Sequence, residues 1–198
     1  MIRFLIIATL LGAGLYARNA EAQPDCNDWN SKGFFESATA ADVNRCLAAG
    51  AEVEARDENG RTPLHWAAYG GNAETVAALI KAGAKIEARI KTDSSTPPLH
   101  FAGSTPLHLA ARYGGNAETI AALIQAGARV NARNESGWTP LHEAAGFGDA
   151  EMVAALIKAG ANIRAMSKYG RLPAGVAELN DKVKDHDIFW TLNEGRYQ

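Results

Sequence analysis

The sequence predicts an all-α solenoid in which helix-turn-helix units stack side by side, with hairpin or finger loops between them. The first observation is the heptapeptide pattern Thr-Pro-Leu-His-x-Ala-Ala, which occurs at Thr62–Ala68, Thr105–Ala111 and Thr139–Ala145. The second is a block such as AETVAALIKAGA that follows each copy; the ends of successive blocks are 44 and 33 residues apart. Such a period indicates a repeat architecture, in which each unit buries its apolar surface against its neighbours.

Each unit contains the signals for two helices. Threonine is a favourable N-cap, and proline fits the first helical position because the amide hydrogen that it lacks has no partner there. In the second block, Val76, Leu79 and Ile80 have the i, i+3, i+4 spacing of one buried helix face. Gly83 follows as a helix terminator, since glycine easily adopts a left-handed conformation. Polar segments such as Glu54–Gly60 are predicted to form the hairpin loops between units.

A 33-residue period that carries this heptapeptide resembles the ankyrin repeat. The resemblance covers the chain from about Phe34 to Leu179. It implies a turn or hairpin followed by two antiparallel helices in each unit, and a protein-binding scaffold as the function. Because one unit cannot bury its apolar face alone, it also implies modified terminal units.

The period divides the chain into a signal peptide, a tail, two capping repeats, three full repeats and a final helix. The predicted bounds are 1–22 (signal peptide), 23–33 (tail), 34–51 (N-terminal cap), 52–84, 85–128 and 129–161 (full repeats), and 162–198 (C-terminal cap and final helix). The N-terminal cap lacks the heptapeptide altogether, and Gly175 takes the place of the histidine in the C-terminal cap.

The second full repeat contains an insertion of ten residues ahead of its heptapeptide. Within it, Ser95–Ala102 is an imperfect copy of Ser104–Ala110. We expect the helix to begin at the second copy, because Thr105 then stands about as far from the end of its repeat as Thr62 does in the first. The insertion is predicted to enlarge the loop at 91–103 into a finger.

The N-terminus is predicted to direct export. A positively charged start is followed by an apolar run over Phe4–Ala17, and Ala20–Ala22 has the small-x-small pattern that precedes cleavage by signal peptidase, here before Gln23. The apolar run is shorter than the ~20 residues that span a bilayer as a helix. An uncleaved membrane anchor is the alternative, and Arg18 is the observation in its favour.

Cys26 and Cys46 are the two cysteines of the chain. Behind an export signal, an even number of cysteines predicts a disulfide. The bridge would close a loop of about twenty residues and add roughly 3 kcal/mol of stability by restricting the unfolded chain. The alternative is that Cys46 is a small buried residue and Cys26 a free thiol in a loose tail.

Composition and motifs argue against several functions. The formal net charge of −2 gives no electrostatic case for binding nucleic acid or an anionic membrane. The sequence has no nucleophile elbow and no phosphate-binding glycine loop, and the lone His100 and His186 lack the spacing of metal ligands. We therefore expect no catalytic residue, no metal and no cofactor.

His65, His108 and His142 occupy the same position in three successive repeats. Their equivalence predicts a structural ladder, in which each imidazole bonds to neighbouring threonine and backbone groups. A catalytic or metal-binding set is the less favoured interpretation.

In a stack of this kind, variable positions on the first helices and hairpin tips line one concave face. Tryptophan, tyrosine and arginine at such positions are typical of interface anchors. The predicted partner-binding residues are Trp66, Tyr69, Leu109, Arg112, Tyr113, Trp138 and Phe147. The alternative is that some of these aromatics pack between repeats, as Trp138 could against the adjacent finger.

The sequence thus predicts an exported, monomeric, non-enzymatic scaffold that binds a protein through its concave face and finger loops. An ankyrin stack behind a cleavable signal resembles the exported ankyrin proteins of Gram-negative bacteria, which implies the periplasm or the outside of the cell. Two alternatives are an accessory factor to a periplasmic enzyme, for example in oxidative-stress defence, and a secreted effector that acts on a host protein.

Overall fold

The computed structural model describes residues 24–70, 72–91, 101–114 and 116–195. In this part of the chain it contains eleven α-helices, a short 3₁₀ turn and no β-strand, which confirms the all-α prediction. The predicted signal peptide and residues 92–100 of the predicted finger lie outside the described residues. None of the described helices is both long and apolar enough to cross a lipid bilayer.

The helices form two layers that run along the stack. The first helix of each unit contacts the first helices of the neighbouring units, and the second helices contact one another in the same way. The first layer contains α1 (Lys32–Ser37), α3 (Pro63–Gly70), α5 (Pro106–Tyr113), α7 (Pro140–Phe147) and α9 (Pro173–Ala177). The second layer contains α2 (Ala40–Ala48), α4 (Ala73–Lys81), α6 (Ala117–Gln125) and α8 (Ala150–Lys158).

Helix α6 shows why the second block of each repeat folds as it does. The side chain of Asn116 caps its start by accepting the backbone N–H of Thr119 at 2.9 Å. Ile120 and Leu123 are fully buried between the layers, and each such side chain contributes roughly 1.5–3 kcal/mol of hydrophobic stabilisation. Gly127 follows the helix with φ of 100°, a left-handed conformation that glycine adopts without steric cost.

A disulfide holds the N-terminal end of the stack. Cys26 and Cys46 are bonded to each other, so the 3₁₀ turn that begins at Cys26 is joined covalently to α2. Trp29 follows this turn and packs against Phe34 with a ring-centroid distance of 5.3 Å. Its indole N–H donates to the carbonyl oxygen of Glu52 at 2.9 Å. The bridge therefore fastens an aromatic cover over the first unit.

Two short helices close the C-terminal end, α10 (Asp181–Lys184) and α11 (Ile188–Glu194). Helix α11 contacts both α8 and α9, and its Leu192 is fully buried. The side-chain amide of Asn180 donates to the carbonyl oxygens of Ala145 and Gly148, at 3.1 and 3.0 Å. These bonds satisfy carbonyl groups at the C-terminal end of α7, which has no further helical turn to do so.

The histidine of each heptapeptide links its own helix to the hairpin of the next unit. The backbone N–H of Thr105 donates to Nδ1 of His108 at 3.2 Å, so Nδ1 is the accepting nitrogen. Nε2 therefore carries the proton and donates to the carbonyl oxygen of Trp138 at 3.1 Å. The corresponding bonds from Nε2 in the other two copies join His65 to Ser104 at 3.2 Å and His142 to Arg171 at 3.0 Å.

All three imidazoles of this ladder are neutral. They are buried, and burial lowers the pKa of each because the charged form would lose its hydration. The pKa falls to about 3 for His65 and to about 4 for His108. With both ring nitrogens engaged by the chain itself, these residues have none left for a substrate or a metal ion.

The hairpins stack on one another through a second ladder, formed by arginines. Nη1 of Arg89 donates to the carbonyl oxygen of Gly103 in its own hairpin at 2.7 Å, and to that of Arg133 in the next hairpin at 2.9 Å. Arg133 in turn donates to the carbonyl oxygen of Met166 at 2.6 Å. Because Met166 stands where an arginine would continue the series, the ladder ends at the last hairpin.

The insertion leaves the base of its hairpin intact. The N–H of Ile90 donates to the carbonyl oxygen of Ser104 at 3.0 Å, just as Asp57 donates to Arg61 at 3.0 Å in the first hairpin. Helix α5 begins immediately afterwards with Thr105 as its N-cap. Of the two similar segments, Ser95–Ala102 and Ser104–Ala110, the second therefore starts the helix.

Lowering the pH should destabilise the chain through the histidine ladder. A ladder histidine such as His108 stays neutral in the folded chain down to about pH 4, whereas a histidine in the unfolded chain takes up a proton near pH 6.5. As the pH falls, the unfolded state gains the proton first. The stability linked to His108 is therefore complete above pH 6.5 and declines below it, by about 1.4 kcal/mol at pH 5.5.

Urea unfolding at pH 7.5 and 5.5 measures this effect in the unmodified chain and in His108→Gln. The substituted chain should be less stable at both pH values, yet its further loss at pH 5.5 should be smaller by about 1.4 kcal/mol. An equal pH-dependent loss in the two chains would contradict the assignment of a neutral His108.

Candidate functional site

The predicted partner-binding residues lie together on one surface. We name it the first-helix face and define it as the surface carried by α1, α3, α5 and α7 with the hairpin residues that precede α3, α5, α7 and α9. Helix α3 contributes Trp66 and Tyr69, helix α5 contributes Leu109, Arg112 and Tyr113, helix α7 contributes Phe147, and Trp138 closes the hairpin before α7.

The N-terminal part of the first-helix face contains an open cleft of about 260 Å³. The guanidinium carbon of Arg61 lies 4.6 Å from the ring centroid of Trp66, within the range of a cation–π contact. The rings of Tyr69 and Tyr113 meet across the α3–α5 boundary with centroids 4.7 Å apart. The ammonium nitrogen Nζ of Lys32 lies 5.2 Å from the ring centroid of Tyr69. This cleft therefore combines aromatic walls with two cations at its edge.

The C-terminal part contains a second cleft, of about 330 Å³. Phe147 stacks on Trp138 with centroids 6.1 Å apart, and the guanidinium carbon of Arg112 lies 3.4 Å from the centroid of Phe147. Tyr169 and Arg171 from the last hairpin form the opposite wall, and Tyr169 is 74% exposed. The cleft is thus bounded by three aromatic rings and two guanidinium groups.

Arg112 connects the two clefts. Its guanidinium carbon also lies 5.3 Å from the centroid of Phe101 and 5.2 Å from that of Tyr113, both on the side of the N-terminal cleft. On the other side, Nη1 donates to Oε2 of Glu143 at 2.9 Å. A planar guanidinium can stack on rings and form this ion pair at once, which a lysine ammonium cannot do.

Glu143 is a buried carboxylate at the floor of the C-terminal cleft. Glu143 is only 2% exposed to solvent. Burial raises the pKa of its carboxyl to about 7, although the charge of Arg112 and its hydrogen bond lower the pKa. A buried ion pair of this kind usually contributes little net stability, because both groups give up their hydration. Its position in an open cleft is more readily explained by a function of the cleft.

The structure changes what can be expected of Leu109. This residue is 3% exposed, so it supports the first-helix face from below and offers almost no surface to a partner. Trp66, Tyr69 and Trp138 are half-buried: Trp66 packs on Tyr69 of the same helix, and Trp138 packs on His142 of its own repeat. Tyr69 also packs on Tyr113 of the next repeat, so for this ring the two alternatives are compatible, because it packs between repeats and also lines the N-terminal cleft.

Sequence reasoning missed several residues that line the clefts. Arg61, Trp138 and Arg171 share the position directly before the Thr-Pro or Leu-Pro that starts the first helix of a unit, but only the tryptophan stood out by residue type. Applying the repeat offset to that position would have found the two arginines. Phe101 has no equivalent in the other repeats, since it belongs to the insertion, and the period carries no signal for it.

The described part of the chain contains no group of histidine, cysteine, aspartate and glutamate side chains able to hold a metal ion. The two clefts of the first-helix face are lined mainly by aromatic rings, cationic side chains and one buried carboxylate. Such a surface is suited to non-covalent recognition.

Comparison with known proteins agrees with this architecture. A family model described as ankyrin repeats (3 copies) matches residues 35–134 and 92–167. Alpha-latrotoxin-Lt1a of Latrodectus tredecimguttatus is 35% identical over 98 residues, which are 50% of this chain and 6% of that protein. Alpha-latrotoxin-Lhe1a of Latrodectus hesperus is 34% identical over 98 residues, again 50% of this chain and 6% of that protein.

A third similar protein, VAPYRIN-LIKE of Medicago truncatula, is 44% identical over 46 residues, 22% of this chain and 10% of its own length. The chain therefore matches a tenth or less of the length of each of these relatives.

The stability of Glu143→Gln relative to the unmodified chain should increase as the pH rises. In the folded chain the pKa of Glu143 is about 7, above its ordinary value of 4.5, so the folded state holds the proton more tightly than the unfolded state. The stability linked to this group is present below pH 4.5 and is lost as the pH rises towards 7. Relative to the unmodified chain, Glu143→Gln should gain about 1–3 kcal/mol between pH 5 and pH 8.

Urea unfolding at the two pH values measures this difference, and Glu151→Gln on the exposed side of α8 is the matched control for the loss of one acidic group. A stability difference between Glu143→Gln and the unmodified chain that does not vary with pH would show that the carboxyl is not perturbed.

Proposed function

Because the chain belongs to the family of ankyrin-repeat proteins, we propose that it is a non-enzymatic scaffold that binds a protein partner through the first-helix face, which we take to be the concave face of the stack. The observation that carries the proposal is the continuous run of aromatic and guanidinium groups across three repeats. Tyr113 and Phe147, 39% and 46% exposed, are its most accessible predicted anchors.

The core of the fold is filled without the rings that line the two clefts. The aliphatic residues of the two helix layers already fill the core, as Leu123 and Leu156 show by their complete burial. Large rings left beside open clefts are therefore not needed to stabilise the stack. Tryptophan, tyrosine and arginine contribute much of the binding energy in protein interfaces, especially where a rigid scaffold holds them in place.

The insertion supports the same location for binding. It leaves and rejoins the stack at the Ile90–Ser104 hairpin base, and Phe101, close to its end, lines the N-terminal cleft. Loops that depart from a rigid scaffold often carry recognition. We propose that the finger at 91–103 contributes to the same binding surface.

We also propose that the chain is exported to the periplasm or beyond. The disulfide between Cys26 and Cys46 supports this location, because such bonds persist in oxidising compartments and are rare in the cytosol. The N-terminal sequence pattern with cleavage before Gln23 supports it independently. Identification of the partner would then separate an accessory factor of a periplasmic enzyme from an effector that acts on a host protein.

The proposed binding face can be tested by site-specific crosslinking in the cells that make the protein. A photoreactive phenylalanine analogue at Phe147 should give a discrete protein adduct, because this exposed ring lines the C-terminal cleft of the face. The same analogue at Gln125, exposed on the second-helix layer, should give none. Adducts that form from Gln125 while Phe147 gives none would place recognition on the other layer.

Once the adduct is identified, Tyr113→Ala should weaken binding of that partner by about 2 kcal/mol, roughly thirtyfold in affinity. Calorimetric titration measures the affinity, with Gln125→Ala as the control variant. Affinities that agree within experimental error for the two variants would show that the aromatic face is not the binding surface.

Export can be tested by the intact mass of the protein recovered outside the cytoplasm. The expected species begins at Gln23 and is lighter than its reduced form by two hydrogens, since the Cys26–Cys46 bridge is intact. A mass that retains residues 1–22 would instead indicate an uncleaved anchor.

A further inference from the structure

We propose that the partner of the first-helix face presents an extended acidic segment that carries a large apolar side chain. This inference rests on the proposed function and specifies the chemistry of the partner. The acidic residues would meet the guanidinium groups at the two ends of the face, and the apolar side chain would enter the C-terminal cleft between Phe147 and Tyr169.

Cationic side chains outnumber acidic ones in the two clefts of the first-helix face. Its two clefts are lined by four cationic side chains, those of Lys32, Arg61, Arg112 and Arg171, and among the described lining residues Glu143 is the only carboxylate. The whole chain has a net charge of −2. Positive charge is therefore concentrated in the clefts of this face, and complementary charge selects partners and steers their approach.

Two of these four cations already have an acidic partner within the chain. Lys32 pairs with Glu36, and Arg112 pairs with the buried Glu143. Within the described residues, no carboxylate lies within ion-pair distance of Arg61 or Arg171. Within the described part of the chain, these two guanidinium groups thus have no carboxylate partner, and each can receive one from a bound segment.

One nearby acidic residue does not alter this conclusion. Asp57 lines neither cleft, and its oxygens accept the indole N–H of Trp66 at 3.2 Å and the backbone N–H of Arg61 at 2.8 Å. Its carboxylate is committed to the hairpin and to the ring that forms the cleft wall.

The distance between Arg61 and Arg171 sets the length of segment that could contact both. Arg61 directly precedes the Thr-Pro of the first full repeat, and Arg171 precedes the corresponding Leu-Pro at the start of α9, so three steps between adjacent first helices separate them. Packed helices lie about 8–10 Å apart, which gives a span of roughly 25–30 Å. An extended chain covers this span with about eight or nine residues at ~3.3 Å each.

The C-terminal cleft provides the apolar part of the proposed binding site. The C-terminal cleft of about 330 Å³ lies next to Arg171 and is walled by Trp138, Phe147 and Tyr169. It offers rings to one large apolar side chain and a guanidinium group to the carboxylates that flank it. A segment that alternates acidic and apolar residues would meet both requirements, since successive side chains of an extended chain point in opposite directions.

Selection from a random library of displayed twelve-residue peptides on the purified full chain tests this proposal without assuming a partner. The unmodified chain should enrich peptides with several aspartates or glutamates and at least one large apolar residue. The selected peptides should lose about tenfold or more in affinity when the salt concentration is raised from 0.05 to 0.5 M, because salt screens the charge contacts. Enrichment of basic peptides, or no enrichment of acidic ones, would overturn the proposal.

Two charge-reversal variants separate a local effect from a net-charge effect. Arg171→Glu and Lys158→Glu change the net charge equally, but Lys158 is exposed at the end of α8 in the second layer. Affinity for a selected acidic peptide should fall about tenfold or more in Arg171→Glu and stay within about twofold in Lys158→Glu. Equal losses in both variants would contradict binding at the first-helix face.

A single-stranded thymidine dodecanucleotide provides a third comparison, because arginines and aromatic rings can also bind nucleic acid. Tighter binding of this oligonucleotide than of the selected peptides would overturn the assignment to an acidic protein segment. If the acidic-peptide results fail while a protein adduct still forms from Phe147, the proposed function stands and only the chemistry assigned to the partner is wrong.

Discussion

The hydrogen bond from each heptapeptide histidine to the next hairpin is the contact on which the rest of the structure depends. It places a defined carbonyl oxygen of the hairpin against the helix of the preceding unit. Two of the three accepting residues, Trp138 and Arg171, also present their side chains to the C-terminal cleft. The cleft walls are therefore positioned by the same neutral imidazoles that hold the stack together, although no histidine lines the cleft.

Arg112 takes part both in the contacts of the scaffold and in the proposed binding face. Its guanidinium stacks on rings from both clefts and forms an ion pair with Glu143 of the next unit. The burial of Glu143 opposes folding at neutral pH, and an apolar pair would fill the same space without that cost. The pair fixes the orientation of the guanidinium instead, and a preorganised cation recognises a partner with little loss of side-chain entropy.

The sequence period predicts the features that recur in every repeat, but it does not predict the features that differ between repeats. It identified the helices and the equivalence of the histidines, because these features recur in every unit. It did not predict the burial of Leu109 and Glu143, which vary between repeats and so resembled surface residues. Both directly follow a histidine of the heptapeptide, where Trp66 of the first full repeat is only half-buried, and Glu143 contacts Arg112 of the preceding unit. A contact between units is a property that one repeat alone does not show.

Phe101 illustrates a different limit and explains how such a face can arise. The hairpin of the second full repeat closes at Ile90 and Ser104 as the shorter hairpins do, and Arg89 still bridges it to the next hairpin. Ten additional residues therefore enter the loop without moving the helices on either side. Because the scaffold contacts are complete at the base of the loop, residues beyond that base can change without loss of stacking. Phe101 lies beyond it and packs on Tyr113, so an insertion that the fold tolerates has enlarged the first-helix face.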